Sequence, residues 1–194
     1  MRESGWAIDL DETLAKTNLF WTKHHLRAYG SPEGLNAEEI IKKYRFVKEV
    51  PYWKIKEAEQ WVDAHIDSNE AKLEIPVIEE AIVVMREIPV ACYLTNRTEN
   101  TIDGTRRWLK RYGFPEREIL ASNNGMEWKA RRLEEMFPQV NGIIDDNEEL
   151  LLHLNPKYMG RILLYSHSEP IRSGLNLIIC PTWEEVRRET QRLR

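Results

Sequence analysis

Cysteine is scarce in this sequence: among 194 residues there are only two, Cys92 and Cys180, and each lies in an apolar stretch. Two isolated thiols in such segments fit buried free cysteines in a reducing compartment better than a disulfide. The start of the chain lacks the basic, apolar and small-residue order of a signal peptide, and no apolar run is long enough to cross a bilayer. A soluble, cytoplasmic protein that does not enter a membrane is therefore expected.

A large excess of one charge is also missing, because the formal net charge is only -4. Broad binding to nucleic acid or to a membrane surface needs a basic excess, so neither is expected. Neither glycine-rich nucleotide-binding pattern, G-x-G-x-x-G or G-x-x-x-x-G-K-[ST], occurs. What is present is 42% hydrophobic and 31% charged residues, which predicts a packed core under a solvated surface. The length suits one domain that carries a small insert.

Short apolar runs that end in polar residues recur along the chain, and they predict strands buried on both faces, as in a parallel sheet. They cover residues 5–11, 90–95, 118–122, 141–146, 161–166 and 175–180. Amphipathic segments of helical length separate most of them, at 77–87, 99–112, 127–137 and 147–154. This alternation predicts an α/β fold with a doubly wound parallel sheet and a ligand site at the carboxyl ends of the strands.

The stretch between the first two predicted strands has no convincing strand but three helical segments, at about 18–29, 37–48 and 52–67. A connection of this length is not a simple loop. We predict a catalytic core of residues 1–16 and 76–194, and a helical cap of residues 17–75 inserted after the first strand. Trp53 of this insert is a candidate for stacking on a substrate ring.

Polar residues follow three of the predicted strands where those strands end. Asp9 and Asp11 close the first strand, Thr95-Asn96-Arg97 close the second, and Asp145-Asp146 close the fourth. Because the carboxyl ends of parallel strands meet at one edge of a sheet, these side chains are expected to lie together. Arg97 is either a substrate contact or part of a surface salt bridge.

A basic residue joins this set from the helix between the third and fourth strands. Lys129 shares a helical stripe with the apolar residues Leu133, Met136 and Phe137, so its side chain is expected to face inward at the start of the helix.

The order Asp-x-Asp-x-Thr, strand-end Thr, helical Lys and acidic pair resembles the four motifs of the haloacid dehalogenase-like (HAD) superfamily. The resemblance covers most of the chain outside the insert. It implies a Mg²⁺-dependent phosphohydrolase in which Asp9 attacks phosphorus and forms an aspartyl-phosphate. Asp11 would protonate the leaving oxygen and then activate water. Thr95, the backbone N–H of Asn96 and Lys129 would bind the substrate phosphate.

The resemblance also implies the metal ligands, which for Mg²⁺ are oxygen atoms. They are the side chain of Asp9, the backbone carbonyl of Asp11 and an acid of the Asp145-Asp146 pair. Asp146 is favoured as the direct ligand, and Asp145 is either a second ligand or a group that tethers a water or Lys129. Glu12 departs from the family pattern, because many members have glycine at that position.

The predicted substrate is a small organic phosphate, such as a nucleotide or a sugar phosphate, since caps of this kind restrict access to the site. The alternatives are a phosphatase acting on a phosphoprotein or a nucleic-acid end, and a non-catalytic binding protein with the same fold.

Overall fold

Six parallel strands form the centre of the protein, whose structure is a computed structural model that describes residues 5–44, 47–54, 56–57, 60, 65, 68–166 and 174–192. Their order across the sheet is β3-β2-β1-β4-β5-β6. The strands are β1 Gly5–Ile8, β2 Val90–Thr95, β3 Glu118–Ala121, β4 Val140–Asp145, β5 Arg161–Leu164 and β6 Asn176–Ile179. Each adjacent pair is parallel, so the predicted α/β fold class is confirmed.

Helices flank the sheet and form much of the described part of the segment 17–75. They are α1 Thr17–Tyr29, α2 Ala37–Tyr44, α3 Asn69–Glu74, α4 Glu79–Val84, α5 Ile102–Arg111, α6 Gly125–Met136, α7 Leu150–His153 and α8 Trp183–Gln191. The predicted helix at 52–67 falls mostly outside the described residues, and Val47–Glu49 and Pro51–Trp53 form short 3₁₀ turns. In the part of the chain that the structure describes, no helix combines the length and apolarity that a membrane crossing requires.

Two helices, α3 and α8, are not predicted from the sequence. For α8 a signal was present: Thr182 accepts a hydrogen bond from the backbone of Glu185, and the Glu185 side chain accepts one from the backbone of Thr182. This reciprocal capping box is readable as Thr-x-x-Glu and fixes the start of the helix.

The side chains of β1 point alternately to the two faces of the sheet, and both faces are covered, which explains why the strand is apolar throughout. Trp6 and Ile8 belong to a buried cluster that includes Trp108 of α5 and Trp183 of α8. Ala7 belongs to a second cluster, with residues of α6 and α7. Because successive strand residues point to opposite faces, a strand covered by helices on both sides has no polar face. The central strand is therefore held rigidly by packing on either side.

A third, smaller cluster lies within the insert and contains Ile40, Val50 and Trp53. The chain enters and leaves the insert through two segments joined by backbone hydrogen bonds, from Lys16 N to Pro76 O (2.8 Å) and from Ile78 N to Leu14 O (2.7 Å). These bonds hold both ends of the insert next to the residues that follow β1.

The last helix of the 17–75 segment, α3, packs against α5 of the helical layer. Gly104 of α5 donates its backbone N–H to Asn69 Oδ1 (2.6 Å), and Trp108 Nε1 donates to Ile75 O (2.7 Å). A Cβ on Gly104 would collide with the backbone of Asn69, so glycine permits this close approach.

Candidate active site

Asp9 lies directly after β1, at the carboxyl edge of the sheet, and only 5% of it is exposed. Its backbone N–H donates to Ile144 O of β4 (2.9 Å), which continues the strand pairing one residue beyond β1. The strand order runs from β1 to β2 and β3 on one side, and from β4 to β5 and β6 on the other. Asp9 and Asp145 therefore lie on either side of the point where the order reverses, where open α/β sheets bind their ligands.

Lys129 of α6 is fully buried and forms ion pairs with the acids that follow β1 and end β4. Its Nζ lies 2.6 Å from Asp9 Oδ1 and 2.7 Å from Asp145 Oδ2. Burial disfavours the charged amine, but the two carboxylates outweigh it and raise the pKa of Lys129 above its ordinary value. The side chain is therefore a permanent cation between two acids.

Three acids, Asp9, Asp145 and Asp146, form what we call the carboxylate cluster. One carboxylate oxygen from each lies within 4.8 Å of the other two. The second oxygen of Asp145, Oδ1, accepts from the backbone N–H of Asn147 (2.9 Å), and Asp146 Oδ1 accepts from the hydroxyl of Thr13 (3.2 Å).

The cluster carries more negative charge than Lys129 can balance. Burial raises the pKa of Asp9 to about 7, with Lys129 opposing the shift and Asp145 adding to it. Burial and the charge of Asp9 raise the pKa of Asp146 well above its ordinary value. A compact set of carboxylate oxygens, in which Asp9 and Asp146 resist ionisation because they are buried beside other negative charges, suits a hard divalent cation with oxygen ligands. The residues present thus fit Mg²⁺.

Asp11 faces a different partner. Arg97 holds it with a two-pronged ion pair, in which Nε lies 3.0 Å from Oδ2 and Nη2 lies 2.6 Å from Oδ1. The Arg97 side chain is only 2% exposed, and its Nη1 donates to Thr105 Oγ1 (3.1 Å). Thr17, the first residue of α1, also donates to Asp11 Oδ1 (2.5 Å).

The sequence predicts Arg97 either at the substrate or in a surface salt bridge. The salt bridge is present, with Asp11, but its predicted surface location is wrong because the Arg97 side chain is buried. Its guanidinium lies 5.9 Å from the ring of Trp108 and fills a buried position between α5 and Asp11. Burial favours a neutral Asp11, but Arg97, assisted by Lys72 and Thr17, outweighs it and holds the pKa of Asp11 well below its ordinary value. In this arrangement Asp11 is ionised.

The Arg97→Met substitution is expected to lower the free energy of unfolding by about 1–3 kcal/mol, because it leaves the partly buried Asp11 carboxylate without its partner. Since the pair lowers the pKa of Asp11, the loss is full above about pH 5 and shrinks as the pH falls below 4. Urea titrations at several pH values measure this. The matched control is Arg106→Met in an exposed pair with Asp103, which should change stability by less than about 0.5 kcal/mol.

Thr95 is the last residue of β2, and Asn96 follows it. Thr95 is buried, and its Oγ1 accepts from the backbone N–H of Arg97 (3.3 Å), which leaves its own proton free to donate. Asn96 Nδ2 lies 3.4 Å from Met126 Sδ. Among the residues that the structure describes, Asn96 Oδ1 is a buried oxygen without a hydrogen-bond partner. Unsatisfied polar atoms of this kind are uncommon and accompany ligand sites.

Glu12 shows why glycine is frequent at its position. Its φ is 58°, in the left-handed region that favours glycine. Its side chain offsets the strain by accepting from the backbone N–H of Asn18 (2.6 Å) at the start of α1. Burial raises the pKa of Glu12 to about 7.

Trp53 is 3% exposed, and its Nε1 donates to Gly30 O (3.0 Å). Its ring packs 5.3 Å from His25 inside the insert. The prediction that Trp53 stacks on a substrate is therefore wrong, because the ring belongs to the small cluster of the insert.

No protein-family profile and no curated protein matches this sequence. Solved structures with a similar fold include the HAD-hydrolase YfnB of Bacillus subtilis, bound to magnesium, with a TM-score of 0.51 and 14% identity over 98% of this chain and 99% of that one. CbbY from Rhodobacter sphaeroides, in complex with phosphate, has a TM-score of 0.44 and 17% identity over 96% of each chain. A haloacid dehalogenase-like family hydrolase from Xanthomonas campestris has a TM-score of 0.44 and 15% identity over 98% and 96%.

At these identities the similarity is one of fold, and the superposition on YfnB carries it. The chain has the fold of the haloacid dehalogenase-like hydrolases. The family resemblance seen in the motifs is confirmed at the level of fold.

Proposed function

We propose that this protein is a Mg²⁺-dependent phosphohydrolase that acts through an aspartyl-phosphate on Asp9. The observation that carries the proposal is the contact of Asp9 with Lys129 and with the other two acids of the carboxylate cluster, where the strand order reverses. Phosphoryl transfer of this kind requires a carboxylate nucleophile, a cation that offsets negative charge and further carboxylates that can hold a metal ion.

In the first step, an Asp9 carboxylate oxygen attacks phosphorus while the bond to the leaving oxygen breaks. Lys129 binds Oδ1 of Asp9, so we assign the attack to Oδ2, and the ammonium offsets the charge of the phosphoryl group. The Thr95 hydroxyl and the Asn96 backbone N–H are assigned to the phosphoryl oxygens. In the second step, water attacks the phosphorus of the mixed anhydride and releases inorganic phosphate and free Asp9.

Mg²⁺ would be held by Asp9, Asp146 and the backbone carbonyl of Asp11, and when bound it would neutralise phosphoryl oxygens. Asp145 is assigned a positioning role, because one of its oxygens contacts Lys129 and the other accepts from Asn147.

Asp11 is assigned to proton transfer, and its contacts set a condition on that role. A general acid must carry a proton, whereas Arg97 keeps Asp11 ionised. Asp11 therefore has to leave Arg97 and Thr17 before it protonates the leaving oxygen.

The segment 17–75 is proposed as the cap over this site. Its own apolar cluster and its paired entry and exit segments support that division. Because such a cap restricts access, the proposed substrate is a small organic phosphate, such as a nucleotide or a sugar phosphate.

Hydrolysis of p-nitrophenyl phosphate and of a panel of metabolite phosphates tests the proposal. We expect turnover with Mg²⁺ and none with excess EDTA, and acid-quenched enzyme should retain labelled phosphate. Absence of turnover across the panel, with no retained label, would favour the non-catalytic alternative.

Mg²⁺ is also expected to stabilise the fold, by about 2.7 kcal/mol at a concentration 100 times its dissociation constant. Because burial raises the pKa values of Asp9 and Asp146, the stability that these two acids contribute to the metal-free protein is fullest below about pH 4 and declines as the pH rises toward 7. The Mg²⁺-induced rise in melting temperature should therefore be larger at pH 7.5 than at pH 5.

The Asp146→Asn variant should lose this Mg²⁺ effect without a lower metal-free melting temperature, and the exposed Glu135→Gln control should keep it. An equal Mg²⁺ effect in both variants would place the ion elsewhere.

A further inference from the structure

A second concave site lies far from the carboxylate cluster, between the last turns of α5 and the loop that leads into β3. It encloses about 450 Å³. Small-molecule sites in proteins typically occupy roughly 300–1,000 Å³, so this pocket has a suitable size. The loop precedes β3, which places the pocket at the amino ends of the parallel strands, whereas Asp9 lies at their carboxyl ends.

The rim of the pocket is basic. Arg106, Arg107, Lys110 and Arg117 line it, and Glu116 is the single acid among the lining residues. This local excess of positive charge contrasts with the formal net charge of -4 for the whole chain. The field at the rim therefore attracts anions although the protein as a whole does not.

Two of these cations, Arg107 and Lys110, are not neutralised by any carboxylate among the residues that the structure describes. Within the described stretches of the chain, Arg106 pairs with Asp103 (2.8 Å), but no acid forms an ion pair with Arg107 or Lys110. Arg117 is oriented by two backbone carbonyls, since its Nε donates to Val90 O (2.7 Å) and its Nη1 to Glu116 O (2.8 Å). A fixed guanidinium beside unpaired cations is a ready binding group for phosphate, sulfonate or carboxylate.

The floor of the pocket is apolar. Leu109 and Phe114 are buried, at 5% and 6% exposure, and Ile119 of the edge strand β3 is half-buried. Trp108 stacks behind Phe114 at 5.7 Å and fixes its ring. Under a simple inorganic anion, the surface of this floor that faces the cavity would stay in contact with water, whereas a ligand with an apolar body would cover it.

We propose that this pocket binds a small organic anion in which an apolar ring or short chain is joined to a phosphate, sulfonate or carboxylate. The anionic group binds Arg107, Lys110 and Arg117, and the apolar body covers Leu109, Phe114 and Ile119. The site is separate from the proposed phosphohydrolase site and does not depend on its activity.

Titration of the full chain with 8-anilinonaphthalene-1-sulfonate, followed by fluorescence, tests the proposal. The Arg107→Gln/Lys110→Gln variant should bind the probe about tenfold more weakly, because it loses both unpaired cations. Arg131→Gln/Lys157→Gln removes the same charge from exposed positions elsewhere and should bind as the wild type does. Ile119→Thr, which changes only the floor, should also weaken binding.

Inorganic pyrophosphate separates an amphipathic site from a simple patch of charge. We expect it to displace the probe only at concentrations about 100-fold or more above those of the probe, because it cannot cover the floor. Displacement at equal concentrations, or equal weakening in the two double variants, would overturn the proposal. A change in binding on Asp9→Asn would place the probe at the carboxylate cluster and would also overturn it.

Discussion

Turnover of p-nitrophenyl phosphate by the Asp9→Asn variant is expected to fall by more than about 10³-fold at saturating Mg²⁺. An asparagine side chain has nearly the same shape as aspartate, but its amide oxygen is a poor nucleophile and cannot form the mixed anhydride. Lys129 keeps its contact with Asp145 in this variant, so the packing around α6 is preserved. The loss should appear in kcat, with no retained phosphate label.

The Asp9→Asn variant is also expected to keep its thermal stability. Burial raises the pKa of Asp9 to about 7, so its ionised form weakens the fold above that pH. At pH 8 without metal, Asp9→Asn should therefore unfold at a melting temperature no lower than that of the wild type. Asp103→Asn, an exposed control, should keep full activity. Retention of more than about a tenth of the wild-type turnover would show that Asp9 is not the nucleophile.

The Lys129→Met variant is expected to lose about 3–5 kcal/mol of unfolding free energy at pH 8, which is the largest stability effect that we predict. Methionine fills a similar volume, but it leaves Asp9 and Asp145 buried without a cation. Urea unfolding of the metal-free protein measures the loss. Arg131→Met, on the exposed side of the same helix, should change stability by less than about 0.5 kcal/mol.

The pH dependence of that loss identifies its cause. Without Lys129 the pKa of Asp9 should rise further above 7, because the ammonium opposes the shift in the wild type. The acid is then neutral at pH 5, and its penalty develops as the pH rises. The loss should therefore be smaller at pH 5 than at pH 8. An equal loss at both pH values would assign it to the packing of the side chain instead of its charge.

The sheet could be predicted from the sequence because strands covered on both faces have a simple sequence pattern, which is a short apolar run followed by polar residues. The positions at which the strands end were predicted less accurately. The first predicted strand included residues 9–11, whereas β1 ends at Ile8. The chain turns soon after it, where the backbone carbonyl of Leu10 accepts from Leu14 and Ala15 and Glu12 has a positive φ. That conformation is not encoded by any periodicity.

The pairing of Asp11 with Arg97 could not be predicted in the same way. It depends on where α5 places Thr105 and Trp108, which hold the guanidinium from the far side. Sequence spacing gives the strand on which a residue lies, but a contact between residues 86 positions apart is set by tertiary packing. The burial of Trp53 was missed for the same reason, because its neighbours His25 and Gly30 are distant in sequence.

Buried indoles in two of the apolar clusters give those clusters separate optical signals. Trp6, Trp108 and Trp183 report on the cluster around β1, whereas Trp53 reports on the cluster of the insert. Subtracting the emission of a Trp53→Phe protein from that of the wild type isolates the signal of the Trp53 cluster during denaturation. Coincident curves would indicate one cooperative unit, and an earlier change in the difference signal would show that this cluster unfolds while the sheet remains intact.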